Sequence, residues 1–273
     1  VLTNDKKYAQ KLALHLKAWF VNPDTKMNAN LLYAQAIKGV ATGRGIGIID
    51  TVHLVEVTKA IKAIENSSAL SKVDLEAIKL WFSNYLNWIT THEYGIAERD
   101  NGNNHSVCWT MQVAAFADLI KDTETMDFCR NFYKTSLLPN QMDKDGSFPL
   151  ELKRTKPYGY SLFNLDAMTS ICQILSTKQD NLFDYTTPDG KNLELGIKFM
   201  IPYIENKSLW PFQHDVMYWE EWPVRQSSLL FGGIAFKNKK YIELWKSLKA
   251  NVITPEIIRN MPVKYPILWV LNN

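Results

Sequence analysis

Three segments carry more polar and aromatic side chains than a connection between helices requires. The first, Arg99-Asp-Asn-Gly-Asn-Asn-His-Ser106, runs into an apolar stretch that holds Trp109 and Gln112. Its Asn104 and His105 fall at an expected helix start, where free backbone N–H groups and the helix dipole favour a negative ligand. Asn103 or Asn104 could equally serve as a plain N-cap, and a lone histidine is more often packed or solvated. The second segment, residues 145–164, places Arg154, Lys156, Tyr158 and Tyr160 within seven residues. An arginine is a permanently charged planar fork that fits a carboxylate. A tyrosine moves a proton when a neighbouring cation favours its anion. A basic, aromatic surface loop is the competing account. The third segment, residues 210–225, gathers Trp210, His214, Tyr218, Trp219, Trp222 and Arg225. Such residues can form a wall on which sugar rings stack, or simply pack helices together.

These residue types match the needs of β-elimination across a uronic acid. The sugar carboxylate must be neutralised so that the proton on C-5 becomes acidic; Asn104, His105 and Arg154 can do that and stabilise the enolate-like intermediate. A base must then take the proton and an acid must protonate the departing O-4. Tyr160 can act as either, or as both when the proton and the leaving oxygen lie on one face of the ring. The scheme demands no metal and no cofactor.

The elements that must hold these residues read as helices. Tyr8, Leu12, Leu16, Trp19 and Phe20 share one helical face, and Ile48, Val52, Val55 and Ile61 suggest a second helix. Val73, Ile78, Trp81, Phe82, Tyr85 and Ile89 predict a third, with Ser71 and Asp74 as a start signal. Stretches 107–120, 125–137, 161–175, 192–204, 226–236 and 239–249 continue the series. Period-2 strands are nearly absent, residues 147–152 being the one candidate for a short extended piece. About nine helices without a low-complexity linker or a fixed-period repeat predict an all-α fold, one domain over residues 1–273, built from helical hairpins in a ring or bundle.

Composition narrows the function classes. Of 273 residues, 46% are apolar and 22% charged, as in ordinary globular proteins, whereas nine Trp, twelve Tyr and twelve Phe exceed the needs of a core. A formal net charge of +3 argues against a non-specific nucleic-acid binder yet permits a local basic groove. Cys108, Cys129 and Cys172 are too few and scattered for a disulfide framework and read as small buried hydrophobes. No apolar run approaches the ~20 residues that span a bilayer. His53, His92 and His214 lack metal-ligand spacing, and the glycines at 43, 45 and 47 lack the strand and spacing of a dinucleotide site. Asn66, Asn104 and Asn206 begin Asn-x-Ser sequons, which matter only in a secretory eukaryotic setting.

The order of these motifs resembles the alginate lyase superfamily. The resemblance is carried by Asn103-Asn104-His105 with Trp109 and Gln112, then Pro149-Leu-Glu-Leu-Lys-Arg154-Thr155 and Tyr160-Ser-Leu-Phe-Asn164. Trp19-Phe20, the stretch from Met27-Asn28 to Gln35, Gly43-Arg44-Gly45 with Ile48-Ile49-Asp50, and the tract from Glu221-Trp-Pro-Val-Arg225 to Arg259 extend it along nearly the whole chain. It implies an incomplete (α/α) toroid with the substrate in a groove or tunnel, and a catalytic set of Asn104, His105, Arg154 and Tyr160. It also implies substrate contacts from Tyr33, Gln35 and Arg44, beside those expected from Trp109, Tyr158, His214, Trp219 and Arg225. The partner it implies is an acidic polysaccharide, and the location secreted or periplasmic. The arginine-to-tyrosine interval is one residue shorter than in the mannuronate-cutting branch, which makes Tyr158 a rival to Tyr160. The chain opens at Val1, as though trimmed, and an amino-terminal part that can supply a lid in the family is expected to be missing.

Two other functions fit some of the same residues. A glycoside hydrolase would use two carboxylates, among Asp143, Asp145, Glu151, Glu220 and Glu221, roughly 5–9.5 Å apart. A non-catalytic carbohydrate-binding protein would use the aromatics and Arg154 without needing Tyr160. For a lyase, mannuronate and glucuronate polymers are the expected substrates because they share configuration at C-4 and C-5. Guluronate, inverted at C-5, would favour separate groups such as His105 and Tyr160.

Overall fold

The computed structural model describes Thr3 and residues 5–270. Helices make up nearly all its regular structure; among the described residues, extended pairing is limited to isolated bridges such as Thr186 with Asn192. The fold is the expected all-α one.

Helix α1 (Lys6–Phe20) begins at Asp5, whose side chain accepts the Lys7 N–H. Its face reading is half right. Leu16 and Phe20 are buried, but Tyr8 and Trp19 are 58% and 56% exposed, because only a narrow stripe of this helix meets α3 (Lys72–Thr91). The stretch expected as one helix around Ile48 and Ile61 is two elements: a 3-10 segment, Gly45–Thr51, and α2 (Leu54–Ile64). Ser71 caps α3 as anticipated, accepting from the Asp74 N–H and donating to its carboxylate. A short α4 (Glu93–Arg99) follows, and then α5 (Asn104–Ile120).

Helix α5 and α9 (Pro157–Leu175) form the centre. Both are buried on almost every side, so neither shows the one-sided apolar stripe of a surface helix. They pack on each other, with α2, α3 and α6 (Thr123–Phe132) around α5 and α11 (Ser227–Ala235) against α9. Between them the chain forms a π-helical turn, Tyr133–Leu137, then α7 (Leu138–Gln141) and α8 (Pro149–Leu152). The candidate extended piece at 147–152 is thus corrected: Pro149 opens one helical turn, its fixed φ suiting the first helical position. Helices α10 (Leu193–Glu205), α12 (Lys239–Ser247), α13 (Pro255–Arg259) and α14 (Ile267–Val270) complete the series. One cluster of buried side chains runs from Ala13 to Trp269. All three cysteines are free and buried within it.

The arrangement matters for function because α5 and α9 each begin at a segment rich in chemistry. Asn104 and His105 open α5, and Tyr158 and Tyr160 occupy the first turn of α9.

Candidate active site

The start of α5 is fixed by local chemistry. Gly102 takes a left-handed φ of +86°, which glycine adopts without steric cost, and its N–H donates to Ser106 Oγ at 2.7 Å. Asn103 is the N-cap, its Oδ1 accepting the His105 N–H at 3.0 Å. Asn104 is therefore released from capping, and its side chain turns elsewhere. Its backbone N–H and its Nδ2 donate to the two oxygens of Glu151, each at 2.7 Å. Asn104 and Glu151 are both 1% exposed. His105 is half-buried and its Nδ1 lies 2.7 Å from Glu98 Oε1 of α4. The Glu98 side chain is fully buried, and its other oxygen has no partner among the described residues.

Glu151 also reaches the second segment. Arg154 Nη1 is 3.5 Å from Glu151 Oε2, and the Arg154 guanidinium carbon sits 3.9 Å from the centroid of the Tyr160 ring. Lys156 Nζ is 5.1 Å from the same ring and pairs with Glu256. Asn104, Arg154 and Tyr160 thus form a contiguous chain of contacts through Glu151. Burial pushes the Glu151 carboxyl above its ordinary range; the two Asn104 hydrogen bonds and the Arg154 charge act against that push. Glu98 is raised in the same way by burial, countered by His105.

The two tyrosines differ sharply. The Tyr158 and Gly159 N–H groups donate to Asp215 at 2.8 and 2.9 Å, so a carboxylate from a distant segment caps α9. The cap requires glycine at 159, since a Cβ there would lie 2.8 Å from both Asp215 Oδ2 and Trp222 Nε1. Tyr158 is 0% exposed, donates its hydroxyl to the Tyr203 carbonyl at 3.0 Å, and packs edge-on against Trp210 and Trp219. Burial drives its phenol well above the ordinary value. Tyr160 is half-buried and borders a recess with Lys156, Asp215, Tyr218, Trp222, Glu256 and Asn260.

Several expected substrate contacts prove to be structural. Trp109 is 1% exposed and donates its indole N–H to the Ile89 carbonyl, so it is core; Tyr158 is core for the reasons above. Arg225 donates to the carbonyls of Lys246 and Leu248 and lies over the Trp245 ring, stapling two segments together. Packing consumes these aromatic and cationic side chains. His214 is exposed and stacks on Trp219 at 4.0 Å and 8°. Tyr33 is 74% exposed. Gln35 donates to Asp50 Oδ1 at 3.0 Å and is itself held by Arg44, whose Nε donates to the Gln35 carbonyl at 2.8 Å.

The carboxylates weighed for hydrolysis are dispersed in role. Asp143 and Asp145 accept backbone N–H groups within their own turn, Glu220 is solvated, and Glu221 faces Lys249. Glu151 alone of the five contacts Asn104. Sequence reading passed over Glu98, Asp215 and Glu256 as partners. A glutamate seven residues before His105, in a helix, was the only local hint of the first. Among the described residues no group of three or more His, Cys, Asp or Glu side chains is placed to hold a metal ion.

The family model for alginate lyases matches residues 1–210. An alginate lyase from Bacteroides ovatus superposes with a TM-score of 0.82 at 29% identity, over 96% of this chain and 69% of that one. Alginate lyase A1-III from Sphingomonas species A1 gives 0.64 at 15% identity, over 93% of this chain and 65% of its own. A tyrosine-to-phenylalanine variant of A1-III complexed with a tetrasaccharide gives 0.62 at 16% identity, over 84% and 62%. The A1-III likeness supports the fold alone, and this chain spans slightly less than two-thirds of the length of those two A1-III chains. No curated protein sequence matches. The family match over more than three-quarters of the chain, on an incomplete (α/α) toroid that the solved lyases share, places this protein in the alginate lyase family of polysaccharide lyases.

Proposed function

We propose that the chain cleaves a mannuronate- or glucuronate-type polymer by β-elimination, with Asn104, His105, Arg154 and Tyr160 as its catalytic residues. The observation that carries this reading is the run of contacts from Asn104 through Glu151 to Arg154 and on to the Tyr160 ring.

In this reading the uronate carboxylate is received by the Asn104 amide, His105 Nε2 and the Arg154 guanidinium, whose charge and N–H groups grow in value as the enolate-like intermediate forms. Tyr160 takes the proton from C-5. The electron pair of that C–H bond becomes the C-4=C-5 double bond, and the C-4–O-4 bond breaks. Tyr160 then returns the proton to the departing O-4, which leaves as a hydroxyl. One phenol suffices where the C-5 proton and O-4 lie on the same ring face, as in mannuronate and glucuronate. Arg154 puts a permanent positive charge against the ring, which must be the phenolate when it takes the C-5 proton and again after it has protonated O-4. The burial of Tyr158 and its bond to the Tyr203 carbonyl support Tyr160 rather than Tyr158 in this role.

Gln35, Arg44, Tyr33, His214 and Trp219 are proposed as contacts for flanking sugars, on the strength of their exposure or polar character. A polymeric acidic substrate is met outside the cytoplasm, so we place the protein among secreted or periplasmic enzymes. No described helix is long and apolar enough to cross a membrane.

The test is incubation with polymannuronate, glucuronan and polyguluronate, following absorbance of the unsaturated product near the ultraviolet edge. The first two are expected to respond. New reducing ends without that absorbance would identify a hydrolase. Binding without turnover of any polymer would identify a carbohydrate-binding protein.

A further inference from the structure

The Glu98–His105 pair does something the elimination scheme leaves open. His105 has two ring nitrogens, and its chemistry depends on which one faces the substrate. Nδ1 points back into the protein, 2.7 Å from Glu98 Oε1, across the contact between α4 and α5. Glu98 has no solvent exposure, and among the described residues its Oε2 has no partner and the imidazole is the only hydrogen-bonding group serving this carboxyl. We propose that Glu98 is a positioning residue that keeps the Nδ1 proton in place, locks the ring orientation, and commits Nε2 to the substrate carboxylate.

The proposal rests on His105 acting in the site described above. Its physical basis is the cost of a buried carboxylate without a donor, which reaches several kcal/mol. Rotating the ring by half a turn, or moving the proton to Nε2, would leave Glu98 stranded. The surroundings reinforce this. Asp50 of the 3-10 segment, Tyr85 of α3 and Cys108 of α5 are the other titratable groups that act on or feel Glu98, and His105 acts in turn on Glu151. None of them is a cation. Nε2 can donate to the sugar carboxylate only when it carries a proton as well, and Glu98 then balances the charge of the imidazolium.

Two variants separate positioning from simple packing. Glu98→Leu removes the acceptor while filling similar space; because it leaves the His105 Nδ1–H without its partner, urea denaturation first establishes that the variant is folded. Glu98→Gln keeps an oxygen that can accept from Nδ1 and loses the charge. Nitrogen-15 NMR of the histidine ring, without substrate, reads the tautomer directly. The wild type is expected to show the proton held on Nδ1 and no population protonated on Nε2 alone, and Glu98→Leu a mixture of both tautomers. In the polymer assay kcat/KM should fall about 10- to 100-fold for Glu98→Leu, with partial recovery in Glu98→Gln. The double variant Glu98→Leu/His105→Ala should be no slower than His105→Ala alone. A wild-type proton on Nε2 alone, ring signals unchanged by Glu98→Leu, or losses that multiply in full would each overturn the proposal. Should the chain turn over none of the polymers, the ring-nitrogen signals still decide the question.

Discussion

Tyr158 and Tyr160 stand two residues apart on one helix, about 200° apart around its axis, and that angle separates their fates. One ring is driven into the aromatic cluster of Trp210 and Trp219; the other meets Arg154 at the surface of the site. Their substitution by phenylalanine should therefore have opposite signatures. Tyr160→Phe removes the proposed proton carrier and should lower kcat by about 10²- to 10⁴-fold with KM little changed. Tyr158→Phe loses one hydrogen bond to the Tyr203 carbonyl, costing about 1 kcal/mol, and should keep kcat within a few-fold. Initial rates of unsaturated product, paired with urea denaturation, distinguish the two. At this scale the sequence revealed which residue types were present and which were close along the chain. It could not reveal which tyrosine was buried, since that depends on Trp210 and Trp219, more than fifty residues away. The partners of Asn104 and His105 were hidden for the same reason: Glu151 and Glu98 meet them only across helix contacts.

The elements that position the site depend on carboxylates set at helix starts. Asp215 caps α9, and Asp166, on α9 itself, caps α11 by accepting the Ser227 and Ser228 N–H groups at 3.3 and 2.8 Å. Asp166 is fully buried, and burial raises its carboxyl to about 6 from 3.8 despite those hydrogen bonds. A folded-state value above the unfolded one means the native protein holds the proton more tightly. That contribution is complete below the unfolded value and is lost as pH rises through about 6. Asp166→Asn cannot titrate. The stability of the wild type relative to this variant should drop by a few kcal/mol between about pH 4 and pH 7, measured by urea denaturation at both ends; a constant difference would rule out this burial penalty. Helices such as α3 were legible because a cap and an apolar stripe are local. The 3-10 segment at Gly45–Thr51 and the π-helical turn at Tyr133–Leu137 were not, because tertiary contacts impose them. One such contact is Thr51 Oγ1 bonding to both Tyr85 and Gln112.

At the scale of the molecule, the packing of α2 on α5, α5 on α9 and α9 on α11 makes an open arc of helices, and the last described residues bridge its ends. The Tyr265 N–H donates to Glu56 of α2 at 2.8 Å, Lys59 of α2 lies 5.0 Å from the Trp269 ring, and that ring packs 5.8 Å from Phe231 of α11. The same stretch holds Glu256 and Asn260 beside Tyr160. Residues beyond 210, where the family model ends, therefore belong to the site's support. Trp269 is 6% exposed, so Trp269→Ala should cost about 3–5 kcal/mol. If the strap is integral to the fold, circular dichroism and tryptophan fluorescence should follow one transition shifted to lower urea, as cooperative unfolding requires. KM for the polymer should rise several-fold at the same time, because Glu256 loses its fixed place against Lys156. A variant as stable as the wild type, with KM unchanged, would make the carboxy-terminal stretch an appendage and leave the arc of helices to stand without it.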